Sequence, residues 1–122
     1  MDQLNYKREQ RSVIATIPVG SNQISVNMDD LPKGDRLFVG GVHRPAQDGL
    51  VRVRIDRNGD TILKTMDITW LDGGIGSFEQ RAFEIADNGG SRLDVMISTT
   101  NIVATTDLVV ELVFVIWINK SC

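Results

Sequence analysis

The side chains able to do chemistry are few and scattered. The chain has a single histidine, His43, and a single cysteine, Cys122. A nucleophilic Ser-His or Cys-His pair would have to be built around His43. No serine sits in a Gly-x-Ser-x-Gly elbow, and Cys122 is the last residue, so His43 reads as a structural residue. Zinc and related sites assembled from several histidines are equally disfavoured, and no catalytic residue, metal ligand or cofactor is expected. Asp56-Arg57-Asn58-Gly59-Asp60 opens with the oxygen-ligand alternation of a calcium loop, but its glycine falls too early and the bidentate glutamate is missing. Asp67, Asp72, Glu79 and Glu84 offer carboxylates of the type that hydrolyse glycosides, with nothing in their spacing to single out a pair. Tyr6, Trp70 and Trp117 have the rings for a sugar-stacking platform, although both tryptophans lie in apolar runs that core packing explains better. Arg52, Arg54 and Lys64 form a small basic stripe that reads as a solvated sheet face.

Composition narrows the partners. Thirteen Lys and Arg against sixteen Asp and Glu give a net charge of -3, which provides no long-range attraction for a phosphate backbone, so nucleic acid is not an expected partner. With one cysteine no intrachain disulfide can form, which fits a reducing compartment. The polar stretch Met1–Gln10 lacks the apolar core of an export signal. The longest apolar run, Leu108 to Ile118, is interrupted by Glu111 and falls short of the ~20 residues of a membrane-spanning helix, so membrane insertion is not expected either. A chain of 122 residues suits one compact domain of roughly 100–150 residues.

The elements that must position these residues are strands. Residues 1–10 carry no hydrophobic period and read as an N-terminal arm, with a single sandwich domain over 11–122. From Arg11 to Val19 β-branched residues begin to alternate, and Ile24, Val26 and Met28 share one side of the next strand. Asp29 to Asp35 is a cluster of turn formers, followed by a strand from Arg36 to Val42 whose Gly40-Gly41 pair signals a bulge or a close backbone approach. Val51, Val53 and Ile55 alternate with Arg52 and Arg54 ahead of Asn58-Gly59, which marks a β-hairpin; its return strand is read through Met66 and Ile68 to Trp70. Residues 77–86 satisfy two patterns. Ser77 with Gln80 matches a helix capping box, while Arg81, Phe83 and Ile85 share a strand face; the strand, paired as a hairpin with 92–98, is favoured. The sum is about eight antiparallel strands, an all-β sandwich of jelly-roll type.

The last strand breaks the alternation of apolar and polar residues expected where one face meets water. Leu108, Val110, Leu112, Phe114, Ile116 and Ile118 make one apolar face, and Val109, Val113, Val115 and Trp117, with Glu111 among them, make a second. Covering that second face removes apolar area worth ~25 cal/mol per Å². Either another segment of the chain folds over it, or it is a subunit interface formed by Val109, Glu111, Val113, Val115 and Trp117.

The arm, about eight strands, the doubly apolar last strand and the lack of chemistry together resemble the single jelly-roll vertex (penton) proteins of tailless, membrane-containing icosahedral phages, or phage decoration proteins. The resemblance implies a non-enzymatic virion protein, made in the host cytoplasm, that assembles as a trimer or pentamer. It further implies an arm that reaches a major capsid or other virion protein through Leu4, Tyr6, Lys7 and Arg8. The competing expectation is a carbohydrate-binding sandwich or receptor-binding fibre head, using loop residues around Asp72–Ile75 and Asp87–Ser91.

Overall fold

The computed structural model describes residues 6–29, 31–44, 51–71, 77–87, 90, 92–104 and 106–119. Among these residues are eight strands: β1 (Tyr6–Ile17), β2 (Gln23–Met28), β3 (Arg36–Arg44), β4 (Val51–Arg57), β5 (Asp60–Asp67), β6 (Phe83–Ile85), β7 (Leu93–Thr99) and β8 (Leu108–Asn119). They form two four-stranded antiparallel sheets, ordered β1-β8-β3-β6 and β2-β7-β4-β5. The first strand therefore pairs with the eighth, the second with the seventh, the third with the sixth and the fourth with the fifth. This is one long nested hairpin rolled up into a jelly roll, and the added pairs β3–β8 and β4–β7 complete the two sheets.

The tip of the nest is the tight turn after β4. Asn58 (φ 50°) and Gly59 (φ 87°) both adopt the left-handed region, as a two-residue hairpin turn of this twist requires. Between the sheets the strands deliver their inward residues to one core, in which Ile17, Leu37, Val39, Val53, Ile55, Leu93, Ile97, Leu108, Phe114 and Ile116 are fully buried. The alternation that predicted β2 holds, with Met28 buried, Ile24 and Val26 packed against the core and Gln23, Ser25 and Asn27 exposed.

Four expectations need correction. Residues 6–10 are not an arm: β1 starts at Tyr6 and pairs with β8 in unbroken register from Tyr6 opposite Asn119 to Ile17 opposite Leu108. Polar alternation hid this because the outward side chains of an edge strand meet water and the inward ones near its start, Lys7, Glu9 and Arg11, are charged. The strand reading of 77–81 gives way to a four-residue helix, α1 (Phe78–Arg81), held by the Ser77–Gln80 capping box, and only Phe83–Ile85 is extended. That short strand pairs with β3, whereas β7 pairs with β2 and β4 in the other sheet, so 77–86 and 92–98 are not a hairpin. Finally, β5 ends at Asp67, whose carboxylate accepts the Thr69 amide (2.9 Å) and caps a 3₁₀ turn, Ile68–Trp70, which leaves Trp70 71% exposed rather than in the core.

The glycine pair on β3 is a close approach, with the register against β8 running through it without a bulge. A Cβ on Gly40 would lie 2.9 Å from the Phe78 ring, and one on Gly41 would overlap Leu112 Cδ2 on the opposite face. Gly41→Ala should therefore cost about 1–3 kcal/mol through overpacking, whereas Asn27→Ala on the exposed side of β2 should stay within about 0.5 kcal/mol. Denaturant unfolding of the two variants beside the parent checks this.

Candidate functional site

β8 is an interior strand of its sheet, so its outward side chains stand between those of β1 and β3. The register aligns Arg8, Trp117 and Arg36 in one row, and Gln10, Val115 and Phe38 in the next. Phe38, Val115 and Trp117 form a second buried cluster on this outer face, packed against Tyr6, Phe78, Ala82 and Val113. The cover comes from α1. Its capping box is complete, with the Ser77 hydroxyl accepting the Gln80 amide and Gln80 Oε1 accepting the Ser77 amide. The helix so fixed sets Phe78 over Gly40 and brings Glu79 to the edge of Trp117.

Glu79 joins the lid to the sheet. Its Oε2 accepts from Trp117 Nε1 (2.9 Å) and from Arg8 Nε (2.8 Å). Arg36 lies over the Phe38 and Trp117 rings, 5.0 and 5.3 Å from their centroids, and donates from both Nε (2.9 Å) and Nη2 (2.7 Å) to the Glu84 carboxylate. A guanidinium is suited to this double use because its plane stacks while its edge stays paired. Tyr6 closes the end of the row, 5.7 Å from Trp117. Among Tyr6, Arg8, Arg36, Phe38, Glu79 and Trp117 lies an open groove of about 380 Å³.

The charges respond to this packing. Burial pushes the Glu79 carboxyl up, but hydrogen bonds from Arg8 and Trp117 outweigh it, and the net pKa lies below the usual glutamate range. The Arg36 hydrogen bond lowers Glu84 in the same direction.

The residues singled out on the last strand do not behave as one surface. Val115 and Trp117 are buried by the chain itself, so as subunit-interface residues they are corrected: α1, Arg36 and Tyr6 occupy the place assigned to a partner. Val113 and Glu111 are half-buried, and Val109 is 36% exposed. Ile14, opposite Glu111 on β1, is 61% exposed and extends the uncovered part of the face. Of the presumed arm contacts, Tyr6 and Arg8 belong to the groove, Lys7 pairs with Glu9 (2.8 Å), and Leu4 lies outside the described residues.

His43 occupies β3 opposite Val110, while Cys122, Asp72–Ile75, Asn88, Gly89 and Ser91 lie outside the described residues. Of the carboxylates considered for hydrolysis, Asp67 caps its turn and Glu79 and Glu84 are held by arginines. In the basic stripe Arg54 is engaged by Asp56 and Thr61, each at 3.1 Å. Among the described residues no group of three or more His, Cys, Asp or Glu side chains is placed to hold a metal ion. The residues that sequence reasoning missed are Arg36, Phe38, Phe78 and the bridging role of Glu79; the capping box and the glycine pair were the signals for the last two.

No protein-family model and no curated protein matches the chain. Among solved structures it is similar to Salmonella Typhimurium PliG, a periplasmic lysozyme inhibitor of g-type lysozyme, at 11% identity over 90% of each chain with a TM-score of 0.38.

Glu79 ionises more readily folded than unfolded, so the stability it contributes is complete above the usual glutamate range and is lost as pH falls through its lower folded pKa. Glu79→Gln should lower stability by about 1–2 kcal/mol near neutral pH, and the gap to the parent should shrink as the solution is acidified. Thermal melts across that pH range measure it.

Proposed function

We propose that this chain is a non-enzymatic structural protein that self-assembles into a symmetric homo-oligomer, as a vertex or decoration component of a phage particle. The observation that carries the reading is the apolar strip left open on the outer face of the β1-β8-β3-β6 sheet. Ile14 on β1 and Val109 on β8 are exposed on either side of the half-buried Glu111, which Ile14 faces, and the half-buried Val113 marks where the cover around Phe78 ends. Exposed β-branched side chains on a flat sheet face are an aggregation hazard unless a partner covers them, and a second copy is always at hand. The nested roll supports the same reading, since viral capsid domains are among the users of this topology, although fold alone does not assign function. A major capsid or other virion protein is the proposed neighbour.

Native mass spectrometry or light scattering tests the assembly. The parent should be an oligomer at micromolar concentration, and Val109→Glu with Val113→Glu should yield smaller, still folded species. A parent that stays monomeric at about 100 μM, weaker than any contact of this class should be, contradicts the reading.

Glycan binding is a second reading that the groove favours. Tyr6 lines it with an aromatic face beside planar polar groups on Arg8, Glu79 and Gln80, the mixture that holds a sugar ring. A glycan-array signal lost in Tyr6→Ala would support it, and a blank array would remove it.

A further inference from the structure

β1 is the outermost strand of its sheet, paired with β8 along its whole length and with no other strand among the described residues. Its open edge has a defined polarity. The Trp117 carbonyl accepts the Asp35 amide (2.7 Å), which turns the backbone polar groups of odd-numbered β8 residues toward β3 and those of even-numbered ones toward β1. By the register, odd-numbered β1 residues receive the latter, and the amides and carbonyls of Arg8, Gln10, Ser12 and Ile14 face away from the sheet. The Gln10 carbonyl agrees, since it accepts from Arg11 Nη1 (2.9 Å) on that side.

Such an edge is a template for another strand, and its own sequence is the best-matched candidate. We infer that two copies of this chain pair antiparallel through β1, with the two-fold axis at Gln10, so that the two sheets become one continuous eight-stranded sheet. This rests on the self-assembly reading above and specifies one of its contacts.

Charge selects the register. An axis at Arg8 sets Arg8 against its own copy; an axis at Glu9 sets Glu9 against Glu9 and Lys7 against Arg11; an axis at Arg11 opposes two arginines. At Ser12 no charges face each other. With the axis at Gln10, Glu9 faces Arg11 of the partner subunit and Arg11 faces the partner's Glu9, with no like charges opposed. These are odd-numbered positions, hence non-hydrogen-bonded pairs, where facing side chains approach most closely. The bridge Arg11 now makes to Glu9 in its own strand, at 3.4 Å, is exchanged for the cross-strand one, and its hydrogen bond to the Gln10 carbonyl (2.9 Å) gives way to the amide of the partner's Gln10. The same register lays the partner's Tyr6 beside Ile14, which is 61% exposed in the single chain. A two-fold contact of this kind joins two copies directly; in a trimer or pentamer it would link one ring to the next.

Cysteine trapping reads the register in the full chain. In a Cys122→Ser background, Gln10→Cys places two thiols across the axis at a Cα separation of about 5.5 Å, which a disulfide spans. Ser12→Cys places them about 14 Å apart, which it does not. Mild oxidation should link Gln10→Cys into a covalent dimer and leave Ser12→Cys unlinked. Charge exchange gives the second readout: Glu9→Arg should weaken the dimer at least tenfold, and Glu9→Arg with Arg11→Glu should restore it to within about threefold, since the two opposed pairs are only inverted. Equal linking of both cysteine variants, or dissociation indifferent to the charge exchange, overturns the register. If the parent is oligomeric and Gln10→Cys stays unlinked, the edge contact fails and the self-assembly reading survives. A monomeric parent sinks both.

Discussion

The structure depends on a central strand that is apolar on both sides. β8 sits between β1 and β3, and burying either face removes apolar area from water. On the inner face the second sheet meets it, and Leu108, Val110, Leu112, Phe114 and Ile116 enter the core. On the outer face the cover is uneven. Around Val115 and Trp117 it is made by α1, Arg36 and Tyr6; toward Val109 the helix does not reach. The function proposed for the chain follows from that unevenness, because the uncovered length is where another molecule gains most by docking.

Much of this was legible in the residues. The Asn58-Gly59 turn, the strongest local signal, proves to be the tip about which the entire roll is nested; the strand before it was placed almost to the residue, whereas the one after it was read through to Trp70 and ends at Asp67. What escaped detection depended on pairing rather than on pattern. β1 was cut short because charged residues at its start gave no apolar period, yet from Tyr6 onward each of them stands in register opposite a residue of β8. The segment 77–86 was read as a strand because an apolar run beside a glycine-rich loop usually pairs with its neighbour; here the roll sends its end to β3 instead. The capping box carried the correct local answer, and a complete reciprocal cap outweighed strand preference in so short a piece.

The groove was illegible for a related reason. Its parts come from β1, β3, α1 and β8, and no spacing in the sequence brings Arg8, Arg36 and Glu79 together; the alignment of three strands on one row and the placing of α1 over it do so. The last strand's double apolarity was the visible trace of that arrangement. It announced that something covers the outer face without saying that the cover would be shared between the chain's own helix and a remaining open strip. Trp70 and Trp117 illustrate the same limit: similar apolar settings in sequence, but one at the tip of a 3₁₀ turn and the other under an arginine.

The claim that the chain itself seals the far half of its last strand is open to a direct optical measurement. The chain has two tryptophans, and Trp70 is 71% exposed while Trp117 is 8% exposed. With Trp70→Phe, emission reports Trp117 alone. The structure requires a blue-shifted spectrum with little acrylamide quenching, unchanged on dilution through the range in which any oligomer dissociates. A red shift with full quenching as subunits separate would mean that a partner, and not α1 with Arg36, covers Trp117.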